Sequence, residues 1–102
     1  MDKRIKKIGH GLERQAREQF FAAVQRGELS FSAGVRQIRK LSKLTQPEFA
    51  KHRGISLGAL RQIESGAGNP QVETLNKIAE VFGLEVGFVL KRKAEGQSSV
   101  VL

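Results

Sequence analysis

Thr45-Gln46-Pro47-Glu48 constrains this chain more than any other four residues in it. Thr45 can cap a helix with its hydroxyl, while Glu48, three residues on, can reach back to the Thr45 amide. Pro47 falls in the first helical turn, where its missing N–H costs little. A helix is therefore predicted from Gln46 to about His52. Gly54 then permits the left-handed backbone of a tight turn. Ser56 can cap the next helix, which runs through Glu64. Two short helices joined by a tight turn are the fixed point around which the rest of the chain must pack.

The flanking segments are helical in period. Leu12, Ala16, Phe20, Ala23 and Val24 recur at helix spacing with Arg14, Arg17, Glu18 and Gln25 between them, so a helix is predicted over about 12–26, ended by Gly27. A second is predicted from about Ser32 to Ser42, burying Val35, Ile38 and Leu41 and leaving its basic residues largely outside. Ser65 to Pro70 reads as a loop. Val72, Leu75, Ile78, Ala79 and Phe82 mark a last helix ending at Gly83.

After Gly83 the period becomes two: Leu84, Val86, Phe88 and Leu90 alternate with Glu85, Gly87, Val89 and Lys91, which predicts a strand over 84–93. A lone strand leaves its N–H and C=O groups without sheet partners, and no other segment offers a convincing second strand. The expectation is that it pairs with the same strand of a second subunit in a symmetric dimer. Residues 94–102 are expected to form a flexible tail.

Composition narrows the partners. At 102 residues the chain fits one domain with appendages, and 18 Lys and Arg against 10 Asp and Glu give a formal net charge of +8. That balance favours a polyanion or an acidic protein surface. The charge is uneven: Lys3, Arg4, Lys6 and Lys7 face only Asp2 in the first ten residues, and residues 31–54 are also strongly basic, whereas residues 55–83 are slightly acidic. The chain has no Cys, and no apolar run approaches the roughly 20 residues that span a bilayer. The expectation is a soluble cytoplasmic protein with no membrane partner. His10 and His52 have no ligand or triad neighbours at useful spacing, and Gly66-Ala67-Gly68 lacks the Lys-Ser/Thr of a phosphate loop. No catalysis, metal or cofactor is expected.

Gln46, Ala50, Gly54, Leu60 and Ile63, followed by Ile63-Glu64-Ser65-Gly66, Pro70 and Glu73-Thr74-Leu75-Asn76-Lys77-Ile78-Ala79, resemble the helix-turn-helix family of Cro-like and phage-repressor-like regulators, the xenobiotic-response-element type. The resemblance covers about residues 32–83. It implies that Phe49, Ala50, Leu60, Ile63, Leu75 and Ile78 are core residues, and that Arg39 and Glu64 form an internal ion pair. It places Gln46 at a phosphate and Ser56, Leu57, Gly58, Arg61 and Gln62 toward the major groove. Arg61 could address guanine and Gln62 adenine, each contributing roughly 1 to 3 kcal/mol of discrimination. Leu57 could touch a thymine methyl, and Gly58 allows close backbone approach. Arg61 could equally meet a phosphate or remain solvated. Lys40, Lys43, Thr45 and Arg53 are candidate phosphate neighbours.

The resulting expectation is a mainly α protein: a four-to-five-helix bundle containing a helix-turn-helix over 31–83, an N-terminal helical extension over 1–30, and the C-terminal strand paired across a dimer. Its expected role is a dimeric repressor that binds double-stranded DNA at a palindromic operator through the helix at 56–64. The alternative is an antitoxin that neutralises a protein toxin and autoregulates its operon, because the last strand resembles that of antitoxins paired with persistence-type kinase toxins. The extension, longer than in the shortest of those antitoxins, could be a toxin-binding arm, a dimerisation helix or a brace.

Overall fold

Thr45 and Ser56 each open a helix where expected, and Ser30 opens another slightly ahead of the expected start near Ser32. The Ser30 hydroxyl accepts from the Ala33 N–H at 3.1 Å, and the Ser56 hydroxyl from the Ala59 N–H at 3.0 Å. Thr45 and Glu48 form the reciprocal capping box, with the Thr45 N–H donating to Glu48 Oε1 at 2.9 Å and the Glu48 N–H donating to the Thr45 hydroxyl at 3.3 Å. Such caps contribute about 1 kcal/mol each.

The computed structural model describes residues 2–91, with side chains from residue 11 onward. Its helices are α1 (Asp2–Gln25), α2 (Phe31–Leu41), α3 (Gln46–Arg53), α4 (Leu57–Ser65) and α5 (Val72–Ala79), the last running into a 3-10 turn at Glu80–Phe82. The turn between α3 and α4 depends on Gly54, whose φ of 70° is left-handed, and Gly66 ends α4 the same way at φ 82°.

One core holds the helices together. Phe20 from α1, Val35 and Ile38 from α2, Phe49 and Ala50 from α3, Leu60 and Ile63 from α4, and Leu75 and Ile78 from α5 are all buried. Every helix thus contributes buried apolar residues, although Leu12 and Val72, expected on the buried stripes of α1 and α5, are exposed. Phe20, Phe21 and Phe82 pack ring against ring at 5.5 to 6.0 Å between centroids, joining α1 to the end of α5.

Two expectations need correction. α1 begins at Asp2, not near residue 12, so the basic leader is part of one 24-residue helix. Gly9 and Gly11, each costing roughly 1 kcal/mol in a helix interior relative to Ala, make this stretch look like a break. The stripe of Ile5, Ile8 and Leu12 nevertheless continues the apolar period upstream. Secondly, residues 84–91 form no strand within the chain. Leu84 and Val86 lie against the core, and the Val86 N–H donates to Asn76 Oδ1 at 2.8 Å. A strand is defined by a ladder partner, and the described chain supplies none. Residues 92–93 and the tail expected over 94–102 lie outside the described residues. No helix among the described residues is long and apolar enough to cross a membrane.

Candidate nucleic-acid interface

α4 divides cleanly by face. Leu60, Ile63 and Glu64 are buried, and half-buried Leu57 leans on the core beside them. Gly58, Arg61, Gln62 and Ser65 are exposed and, at spacings of three, four and seven, share the opposite face. The expected groove-facing residues are therefore brought together except at the helix entry. Ser56 is exposed, but its hydroxyl serves as the cap. Leu57 is divided between core packing and solvent, so only part of its side chain could meet a base.

Gly58 is informative because nothing internal explains it. A Cβ there would meet no atom within 4 Å, and its backbone is ordinary helix. Glycine in a helix interior costs roughly 0.5–1 kcal/mol relative to alanine. The fold carries this cost without using the space.

Beneath the outer face, Glu64 anchors a polar network. Arg39 grips its carboxylate with two bonds, Nε to Oε2 at 2.7 Å and Nη2 to Oε1 at 3.1 Å, and also donates through Nη1 to the Leu44 carbonyl at 3.1 Å. The ion pair implied by the family resemblance is thus present, and it is bidentate. Arg36 donates to the Glu64 backbone carbonyl. Gln46 Nε2 donates to Glu64 Oε1 at 3.0 Å, and Arg61 Nε donates to Gln46 Oε1 at 3.3 Å. Burial pushes the Glu64 carboxyl up, but hydrogen bonds from Arg39 and Gln46 and the charges of Arg39 and Arg36 outweigh it, holding the group below the usual carboxylate range. The same hydrogen bond raises Arg39.

Gln46 therefore occupies its expected place at the start of α3, although its side-chain amide is held by Glu64 and Arg61. Since the cap takes the Glu48 N–H and Pro47 has none, the Gln46 N–H is the remaining donor of that first turn. Thr45 is spent on the capping box.

The other candidate phosphate neighbours separate. Lys40 is exposed beside α1, in a shallow groove with Ala16, Gln19 and Gln37, away from α4. Lys43, in the turn between α2 and α3, pairs with Glu13 of α1. Arg53 is turned inward: Nε donates to the Lys77 carbonyl at 2.8 Å and Nη2 pairs with Glu80 at 3.1 Å, bracing α3 against the end of α5.

Reading residues singly misses three things: the Arg36 bond, the Arg53 brace and the Gln46 bridge. Only Arg36 leaves a signal, standing one turn before Arg39 on the same face of α2. A polar-lined cleft of about 460 Å³, with Ser56, Gln62, Asn69 and Lys77 in its walls, flanks α4 on the α5 side.

A helix-turn-helix family model matches residues 35–89, more than half of the chain. The match takes in α3, the Gly54 turn and α4 in full. No curated protein and no solved structure compared with the chain gave a match.

Proposed function

We propose, because this chain belongs to the helix-turn-helix family of Cro-like and repressor-like DNA-binding transcription regulators, that it is a homodimeric repressor reading a palindromic operator with α4. The observation that carries this reading is the outward face of Gly58, Arg61 and Gln62, which the fold itself does not use for packing. Gly58 lets the α4 backbone approach base edges, Arg61 and Gln62 supply the polar readers, and the start of α3 at Gln46 sets register on a phosphate. With few base contacts, much of the affinity comes from phosphates and falls steeply with salt.

Dimerisation through 84–93 is supported by Phe88, Val89 and Leu90, which are 105%, 82% and 94% exposed in the single chain. Three adjacent apolar side chains left in water are suited to a second copy, and a shared ladder would satisfy the backbone of both. The same apolar edge suits the alternative, an antitoxin that holds a toxin while repressing its own operon from the cytoplasm.

Selection from randomised duplexes tests the main reading. Enrichment of a palindrome with half-sites about one helical turn apart is expected. Recovery of no preferred sequence would refute it. Copurification with the product of an adjacent gene would favour the antitoxin.

A further inference from the structure

The segment after Gly83 is covered by its own subunit for only part of its length. Leu84 and Val86 are half-buried while Glu85 and Gly87 are exposed, the alternation of an extended chain with one face down. Leu84 and Val86 line a groove of about 330 Å³ whose other walls include Phe20 and Val24 of α1 and Val35 and half-exposed Phe31 of α2. Phe88 and Leu90 continue the same face by period, yet they are 105% and 94% exposed. The apolar face outruns the subunit that carries it.

The open edge of this segment is also fixed. In an extended chain, successive residues send their N–H and C=O groups to alternate edges. The Val86 N–H is bonded to Asn76 of α5, so the even-numbered residues turn these groups toward their own subunit. Glu85, Gly87, Val89 and Lys91 hold the donors and acceptors of the other edge. Two copies of that edge pair antiparallel about a two-fold axis with odd residues opposite odd and even opposite even.

Side-chain chemistry chooses among those registers. With the axis at Phe88, Val86 lies opposite the partner's Leu90, Phe88 opposite the partner's Phe88, and Glu85 opposite the partner's Lys91. These facing pairs on the inner side are apolar, and opposite charges meet twice on the outer side. An axis at Val86 or Gly87 would leave Glu85 opposite Gly87 or Val89, and one at Val89 would set Arg92 opposite Val86. Among the described residues, neither Glu85 nor Lys91 has an ion-pair partner in its own subunit.

We propose that two copies of this chain pair in the register centred on Phe88, with Leu90 of each copy closing the groove of the other beside Val86. This rests on the dimer reading given above and deepens it: α1 supplies a wall of the surface that receives the second copy. Phe88 alone offers roughly 150–250 Å². With Leu90 and the groove wall counted on both copies, the covered area reaches the roughly 1,200 Å² at the lower end of stable interfaces.

The chain has no Cys, so single cysteines report the register. On the axis, two copies of one residue in a non-hydrogen-bonded pair lie about 4.5 Å apart between Cα atoms, within disulfide reach. Copies of either neighbouring residue lie roughly 8 Å apart, beyond it. In the full chain under mild oxidation, Phe88→Cys should therefore form a covalent dimer. Gly87→Cys and Val89→Cys should each fail alone and cross-link when mixed. A second measurement keeps Phe88 in place: Glu85→Lys or Lys91→Glu alone should weaken the dimer roughly tenfold in sedimentation, and the two together should restore it.

A dimer that cross-links through Gly87→Cys or Val89→Cys alone, or a charge exchange that restores nothing, would overturn this register and leave the dimer reading in place. A chain that stays monomeric at its highest soluble concentration would overturn both.

Discussion

Arg61 and Glu64 are joined through one side chain. Gln46 accepts from Arg61 Nε at 3.3 Å with its amide oxygen and donates to Glu64 Oε1 at 3.0 Å with its nitrogen. The exposed guanidinium on the outer face of α4 is thereby tied to the buried carboxylate through the residue that starts α3. Arg61→Ala is expected to weaken specific binding by roughly 1 to 3 kcal/mol and relax preference at one base pair. Gln46→Ala should lower affinity for all sequences and also disturb Arg61. The double substitution should fall short of the sum of the two by about 0.5 kcal/mol or more, measured as affinities on one operator at fixed salt.

The Arg39–Glu64 pair should matter to folding before it matters to DNA. Glu64 is 5% exposed and the Arg39 side chain 17%. Removing one partner strands the other, which costs about 3–5 kcal/mol for a buried pair. Arg39→Ala should therefore lower the denaturant midpoint sharply.

Acid should act on the same pair. The Glu64 carboxyl is held below its ordinary value in the folded protein, so the unfolded chain binds the proton first as pH falls. The stability this contributes is complete above the unfolded value of about 4.3 and is lost as pH drops through the folded one. Glu48 is also held low, by its bonds to the Thr45 N–H and hydroxyl, and acts in the same direction. Glu64→Gln should flatten the fall in melting temperature between about pH 5 and 3. A fall as steep as in the unaltered protein would remove Glu64 from the explanation.

Arg53 distinguishes a brace from a phosphate contact. Because its guanidinium bonds to the Lys77 carbonyl and Glu80, Arg53→Ala should destabilise the fold by about 1 kcal/mol. The salt slope of DNA binding should not change. A slope reduced by about one would return Arg53 to the phosphate backbone.

Gly58 should show the opposite signs for folding and binding. Gly58→Ala has open space for its methyl, so it should stabilise the fold by roughly 0.5–1 kcal/mol. The same methyl should weaken operator binding by holding the α4 backbone away from the bases. Paired thermal melts and affinity measurements decide it.

The parts of this fold that could be read from sequence are those with local causes. Thr45 with Glu48, Ser56, and Gly54 act within a few residues, and their helix starts and turn lie where expected. The apolar spacing likewise identifies Val35, Ile38, Leu75 and Ile78 as core, whereas Leu60 and Ile63 follow from the family likeness. The Arg39–Glu64 bond joins residues 25 apart and came from family likeness, because spacing along the chain carries no trace of it. Arg53 reads in the sequence as a surface cation, and its bonds to the Lys77 carbonyl and Glu80 depend on residues more than 20 positions away. Gly9 and Gly11 hid the start of α1 by imitating a break. The segment after Gly83 has the period of a strand, whereas the ladder that defines one needs a partner outside the single chain.

The continuity of α1 has a consequence of phase. A helix turns by about 100° per residue, so adding one residue between Leu12 and Phe20 would swing everything upstream to a different side while leaving the core half in place. Removing seven residues, close to two full turns, would retract the upstream end by about 10 Å while nearly keeping its bearing. An uninterrupted α1 thus behaves as a keyed shaft: the bearing of its upstream half is governed by its angular register on Phe20, and length is the more forgiving variable.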